Sequence, residues 1–73
     1  MLNEQQVQIL QLIKERKNTS IDFIADEVFS GDREMAVKNI NQMEKQKIVE
    51  YPVVNMIRIS PSGKEILNKM ARS

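Results

Sequence analysis

The sequence contains no cysteine, histidine or tryptophan, and it has only two glycines and two prolines among 73 residues. Without cysteine a disulfide is excluded, and without histidine as well the commonest zinc ligands are absent. Two glycines cannot supply a glycine-rich phosphate-binding loop. A chain of this length predicts one small domain, residues 1–73, whose core supplies only a few kcal/mol of net stability. Association with a second copy is therefore one way to stabilise it.

The residues needed for nucleophilic catalysis are also scarce. Because histidine and cysteine are absent, a serine nucleophile would need lysine or a carboxylate as its base. The candidate serines all fall where a helix cap or a turn explains them: Ser20, Ser30, Ser60 and Ser62. We therefore expect a protein that is not an enzyme and that requires no cofactor or metal.

Long apolar runs are missing too. No stretch approaches the roughly 20 consecutive apolar residues that a membrane helix requires. Met1 leads into a polar helical pattern rather than into the apolar centre of a signal peptide. We expect a cytoplasmic protein that does not associate with membranes.

The charge is divided unevenly along the chain. Residues 1–31 contain three basic and five acidic residues, a net charge of −2, whereas residues 32–73 contain eight basic and five acidic ones, a net charge of +3. Such asymmetry can indicate a surface that meets a polyanion. Taken alone, a difference this small is explained as well by solvation of ordinary helix surfaces.

Two capping patterns predict the first two helices. Asn3 followed by Gln6 resembles a capping box, and the helix that it begins should end near Lys17 and Asn18. Thr19 followed three residues later by an aspartate predicts a second capping box. The short second helix has one apolar stripe at i, i+3, i+4 and i+7, formed by Ile21, Ile24, Ala25 and Val28.

A third helix is predicted at about Arg33–Gln46. Three of its apolar side chains share one face: Ala36, Ile40 and Met43. The opposite face carries Glu34, Lys38, Asn41, Gln42 and Lys45. The lysines and amides of that face are the types that hydrogen-bond base edges or phosphates. An amphipathic helix also has a polar face merely for solvation, so both interpretations remain open at this point.

A hairpin and a last helix complete the pattern. The runs Ile48–Tyr51 and Met56–Ile59 favour β-structure and are separated by "PVVN", which predicts an antiparallel hairpin. Ser60 is a good N-cap, and Pro61 suits the first position of a helix ending near Ala71. The predicted fold is α+β and mostly α, with a tight turn between the two middle helices.

Three stretches of this chain resemble winged helix-turn-helix DNA-binding domains of bacterial and archaeal regulators, such as the MarR-like and PadR-like groups. "IDFIADEV" looks like the first helix of the helix-turn-helix unit, and "MEKQKIVEY" looks like the passage from recognition helix to first wing strand. "IRISPSGKEIL" is similar to the family's second wing strand and last helix. The resemblance implies a three-helix core, a two-stranded wing hairpin and a C-terminal helix.

The resemblance also implies that the third helix is the recognition helix and lies in the major groove of double-stranded DNA. By position, Lys45 would then meet a phosphate and Arg33 would reach the DNA backbone. Ser30 and the N–H groups after it would bind a phosphate at the start of that helix. The residues expected to face base edges are Glu34, Lys38, Asn41 and Gln42.

The chain departs from the family pattern in two places. The family commonly has glycine where Lys47 stands, and lysine is disfavoured in a left-handed conformation, so the third helix is expected to end differently. The wing tip carries no positive charge, which leaves Arg58 on the return strand as the nearest cation that can contact DNA. Val53 and Val54 at this tip either contact a partner or fold back onto the core.

The terminal helices offer surplus apolar residues for a two-fold interface. Leu2, Leu12 and Met70 are candidates, while packing of the first helix against the last competes for the same side chains and is favoured for Met70. Two functions remain open: a DNA-binding repressor that acts as a homodimer, and a winged-helix module that binds another protein through its apolar wing. The polar third helix favours the first of these.

Overall fold

A computed structural model describes residues 2–16 and 18–72, and within them the chain forms four helices and three strands. The elements in chain order are α1 (Glu4–Lys14), β1 (Thr19–Ser20), α2 (Ile21–Val28), α3 (Arg33–Lys45), β2 (Val49–Glu50), β3 (Met56–Ile59) and α4 (Pro61–Arg72). The fold is α+β and mostly helical, as expected. None of the helices in the described residues has the length and apolar character needed to cross a bilayer.

The first helix begins as the sequence predicts and ends earlier. Asn3 Oδ1 accepts a hydrogen bond from the Gln6 N–H (2.8 Å), and Gln6 Oε1 accepts one from the Asn3 N–H (3.2 Å). This reciprocal pair is the predicted capping box. The helix stops at Lys14, before the predicted end at Lys17 and Asn18, of which Lys17 lies outside the described residues.

The start of α2 corrects the second capping prediction by one residue. Ser20, not Thr19, is the N-cap, and its Oγ accepts a hydrogen bond from the Phe23 N–H at 3.1 Å. Thr19 is buried and extended because it pairs with Ile57 in a short additional strand. The sheet is therefore three-stranded rather than a two-stranded hairpin alone.

The sheet has the strand order β1-β3-β2 and is antiparallel throughout. In the β2–β3 hairpin Val49 lies opposite Ile59, and Glu50 lies opposite Arg58. The first hairpin strand is shorter than predicted, since it covers Val49–Glu50 only. Along β3 the side chains alternate, so that Ile57 and Ile59 face the core.

The core is a single cluster of apolar side chains to which every helix, β2 and β3 contribute. Helix α1 packs against α2, α3, α4 and β3. The fully buried large side chains are Ile9, Leu10, Ile13, Ile24, Ile40, Met43, Ile57, Val49 and Thr19. The apolar stripes predicted for α2 and α3 face this cluster, apart from Val28, which is half-buried at its edge.

Helix α3 ends in the conformation that glycine usually supplies. Lys47 has φ = +63°, its N–H donates to Glu44 O (2.9 Å), and the Ile48 N–H donates to Met43 O (3.0 Å). These are the two hydrogen bonds of a Schellman motif. The expectation that a lysine here would change the helix end is wrong, because those two bonds hold Lys47 in the left-handed region.

The passage from β3 into α4 has no loop because Ser60 belongs to both elements. Its N–H donates to Ile48 O (2.9 Å), which continues the hairpin pairing, and its Oγ accepts from the Gly63 N–H (3.0 Å) as the predicted N-cap. The hydroxyl also lies 2.6 Å from Lys47 O and 2.7 Å from Ile48 O. The start of α4 is thereby fixed against the end of α3.

Candidate nucleic-acid interface

The predicted contact residues of α3 lie together on its exposed face. Ala36, Ile40 and Met43 are fully buried on the opposite side. That packing fixes the rotation of the helix and leaves five long polar side chains exposed: Glu34, Lys38, Asn41, Gln42 and Lys45. Within the described residues, Glu34, Lys38 and Lys45 have no hydrogen-bond or ion-pair partner through their side chains. They are available to a ligand.

A polar network joins this helix to α1 beneath the exposed face. Gln6 and Asn39 are only 4% and 7% exposed, and Gln6 Nε2 donates to Asn39 Oδ1 at 3.3 Å. The same Nε2 lies 3.3 Å from Gln42 Oε1. Asn39 Nδ2 donates to Met35 O, one turn earlier on its own helix (2.9 Å), so each buried amide is hydrogen-bonded.

Asn39 was not predicted as a functional residue, although the sequence contains a signal for it. Positions 36, 39, 40 and 43 follow the spacing of one buried stripe, and asparagine is the polar exception on it. A buried asparagine requires hydrogen-bond partners, and the only polar side chain in the buried part of α1 is Gln6. The pairing of these two residues depends on how α1 packs against α3.

Asn41 contacts the hairpin through Tyr51. The Tyr51 hydroxyl donates to Asn41 Oδ1 at 2.6 Å on the protein surface. Partial burial, and secondly the nearby Glu44 carboxylate, raise the pKa of Tyr51 above its ordinary value. The phenol therefore remains protonated as a donor at neutral pH, and the amide of Asn41 is held beside the base of the hairpin.

Arg33 lies at the start of α3, where it is tied to two other elements. Its Nε lies 2.9 Å from Asp22 Oδ1 on α2, and its terminal guanidinium nitrogen donates to Asn55 Oδ1 in the hairpin turn at 2.9 Å. The ion pair is exposed, so its contribution to stability is small. The Asp22 carboxylate partly neutralises the positive charge with which Arg33 was expected to bind a phosphate.

The expected phosphate site after Ser30 is occupied by contacts within the protein. The N–H of Gly31 donates to Ala25 O (2.8 Å), and the N–H of Asp32 donates to Phe29 O (3.0 Å). The Asp32 carboxylate also caps α3 by accepting from the Met35 N–H at 3.1 Å. These amides are engaged, and the carboxylate repels a phosphate. The prediction that amides after Ser30 bind phosphate is therefore corrected for Gly31, Asp32 and Met35, whose N–H groups are already bonded.

Arg58, the predicted DNA contact on β3, is paired with another residue of the hairpin. It faces Glu50 across the hairpin, with 3.6 Å between its guanidinium nitrogen and the carboxylate. On its other side it lines a hollow of about 420 Å³ with Lys14, Arg16 and Lys64, to which no residue of α3 contributes. Arg58 is thus paired with Glu50, and the hollow that it lines contains none of the other predicted DNA contacts.

The predicted partner residues fall in three separate places. Val53 and Val54 are 61% and 86% exposed at the hairpin tip, so the interpretation that they fold back onto the core is wrong. Leu2 packs partly against the core and, with Met70, lines an apolar hollow of about 440 Å³ between the start of the chain, the end of α3 and α4. Leu12 is half-buried on the side of α1 that faces α2.

Packing of α1 against α4 occurs as expected, but Met70 is not its buried residue. Leu67 is buried at this contact, whereas Met70 remains 43% exposed at its edge.

Across the described residues no three histidine, cysteine, aspartate or glutamate side chains are grouped so that they could hold a metal ion. Comparison of the chain with protein-family models, curated proteins and solved structures finds no match in any of the three.

Proposed function

We propose that this chain is a winged helix-turn-helix DNA-binding domain and acts in the cytoplasm as a transcriptional regulator. In this proposal α3 is the recognition helix, and the β2–β3 hairpin is the wing. The protein represses transcription by occupying operator DNA as a homodimer. The observation that carries the proposal is the outer face of α3, where Lys38, Asn41, Gln42 and Lys45 are all exposed on a helix whose inner face is buried.

The dimensions of α3 suit the major groove. Its 13 residues extend about 20 Å at 1.5 Å per residue, and a helix of roughly 10–12 Å diameter enters a groove about 12 Å wide. Lys38 and Lys45 are two turns apart on one side, about 10 Å along the axis, so they can reach different phosphates. Glu34 is accommodated if it accepts a hydrogen bond from a cytosine amino group.

Dimerisation supplies the affinity that a single domain lacks. The chain has a net charge of only +1, and the phosphate contacts available to one domain are few. Two copies related by a two-fold axis would engage half-sites one helical turn apart, roughly 34 to 36 Å. Leu2 and Met70, which line one apolar hollow, are our candidates for the contact between the copies, with Leu12 as the alternative.

The test compares two triple variants on random-sequence duplex DNA at two salt concentrations. The first carries Lys38→Ala, Gln42→Ala and Lys45→Ala on α3. The second carries Lys64→Ala, Asn68→Ala and Lys69→Ala on α4, and thus removes the same two charges and one amide from another helix. We expect the wild type and the α4 variant to enrich a palindrome and to bind more weakly at high salt.

The α3 variant should lose the enrichment, and its log–log salt slope should fall by about one for each phosphate contact removed. Equal binding by both triple variants would contradict the proposal, because charge alone would then explain the affinity. Absence of binding by the wild type at low salt would contradict it as well.

Val53 and Val54 favour a second function, a module that binds another protein. Two adjacent exposed valines at a hairpin tip form an apolar projection without positive charge. In this alternative, Val53→Ser with Val54→Ser abolishes a protein contact and leaves DNA binding unchanged. Sedimentation of the wild type and of this double variant measures whether the contact is with a second copy of the chain.

A further inference from the structure

The orientation of the buried amides between α1 and α3 is determined by backbone groups. A backbone N–H can only donate, so the Asn3 N–H fixes Oε1 as the atom of Gln6 that faces it, at 3.2 Å. The other amide atom of Gln6 is consequently the Nε2 donor, directed at α3. Likewise, Met35 O can only accept, which fixes Nδ2 as the atom of Asn39 beside it.

This series of hydrogen bonds ends at Gln42. Because Gln6 Nε2 donates, Gln42 contacts it through its oxygen, and Gln42 Oε1 lies 3.3 Å from that nitrogen. The oxygen and the nitrogen of a side-chain amide diverge from one carbon. When Oε1 points inward at α1, Nε2 points away from it, toward the exposed side of α3. Gln42 therefore offers a donor to whatever lies against this face.

Guanine and adenine present different hydrogen-bonding groups to a single donor in the major groove. Guanine presents two acceptors, N7 and O6, whereas adenine presents N7 beside an amino donor. A glutamine contacts adenine well only when its oxygen and nitrogen both face the base, as a bidentate pair. With Oε1 directed at Gln6 and Nε2 directed away from it, Gln42 does not present both amide atoms to a base.

We propose that Gln6 is a positioning residue that holds Gln42 as a hydrogen-bond donor, so that Gln42 selects guanine over adenine at its place in the operator. The inference rests on the proposed function, since it concerns DNA bound by α3. Asn41 acts in the same sense, because its Oδ1 accepts from the Tyr51 hydroxyl and leaves Nδ2 for the DNA. The exposed amides of α3 then match base edges rich in acceptors.

The variant that tests this role most directly is Gln6→Glu. Glutamate keeps an oxygen for the Asn3 N–H, as in ordinary capping boxes, and replaces the Nε2 donor by a second acceptor. Gln42 should respond by turning its Nε2 inward and its oxygen outward. Gln5→Glu is the matched control, because Gln5 is an exposed glutamine of the same helix that takes no part in the network. It adds the same negative charge to the protein.

The experiment selects binding sites from randomised duplexes with each protein and compares base frequencies, which are less affected by the added charge than affinity is. The operator position contacted by Gln42 is the one whose preference disappears in Gln42→Ala. At that position the wild type and Gln5→Glu should prefer guanine over adenine by roughly 2- to 10-fold, the range of one hydrogen bond. Gln6→Glu should shift the preference toward adenine or cytosine, which present an amino donor.

Gln6→Met provides a second variant, in case the carboxylate prevents folding as judged by thermal unfolding. It removes the donor without adding charge, and the preference for guanine should relax to near equality with adenine. A wild type that selects adenine at this position, or a preference that neither Gln6 variant changes, would overturn the inference alone. Failure of the wild type to enrich any sequence would overturn the proposed function together with it.

Discussion

Replacement of Gly63 by alanine should destabilise the protein, although alanine is the better helix former. Gly63 is buried in the first turn of α4, which lies against Ile48 and Ile59. A Cβ at this position would overlap the carbonyl oxygen of Ile48 and would lie 2.9 Å from Ile59 Cγ1. The backbone oxygen cannot move aside easily, because it accepts a hydrogen bond from the Ser60 N–H at 2.9 Å.

Two opposing terms determine the size of the effect. Helix propensity favours alanine over glycine by about 1 kcal/mol, and overpacking costs about 1–3 kcal/mol, near the upper end when backbone is displaced. We therefore expect the free energy of unfolding to fall by about 2 kcal/mol. For a domain of this size that corresponds to a decrease in Tm of roughly 8 to 16 °C.

Thermal and urea unfolding followed by circular dichroism measure the change. Ser62→Ala is the matched control, because Ser62 is exposed in the same turn and its replacement should alter the free energy of unfolding by no more than about 0.5 kcal/mol. A Gly63→Ala variant at or above wild-type stability would contradict this prediction. It would mean that α4 does not approach the carbonyl of Ile48 closely.

Three further predictions concern single residues. Lys47→Gly should raise the free energy of unfolding by about 0.5–1 kcal/mol in urea titrations, because Lys47 has φ = +63°, whereas Lys47→Ala should give no gain. Thr19→Val should raise it by about 1 kcal/mol, since the buried Thr19 hydroxyl has no hydrogen-bond partner in the described residues; a loss would show that the hydroxyl is bonded. The pKa of Tyr51 is raised in the folded state, so its contribution to stability is present below about pH 10 and declines as pH rises through the folded value. Urea titrations at about pH 9 and 11 should show a smaller decline for Tyr51→Phe than for the wild type, and equal declines would contradict this assignment.

The order of the four helices and the hairpin could be predicted because it depends on local patterns. The stripe of Ile21, Ile24 and Ala25 has helical spacing, and Asn3 with Gln6 needs only its own turn to form a capping box. The strand β1 could not be predicted, since two residues have no periodicity of their own. Thr19 becomes a strand residue only because Ile57 lies beside it.

The candidate site, like the fold, is only partly predictable from the sequence. The polar face of α3 follows from its periodicity, because burial of Ala36, Ile40 and Met43 leaves the opposite side exposed. The pairing of Arg58 with Glu50 depends on strand register, which local patterns do not set. The engaged amides after Ser30 depend on how the turn folds back on α2.

Sequence alone determined which surfaces of this chain are apolar and which segments are helical, since both follow from spacing along one element. Tertiary structure decided which polar groups meet, because Gln6 and Gln42 are 36 residues apart and become neighbours only when α1 packs on α3. It also decided that Gly63 must lack a side chain, because Ile48 and Ile59 lie where a Cβ would be. Helix propensity opposes this outcome, and the contact between elements outweighs it.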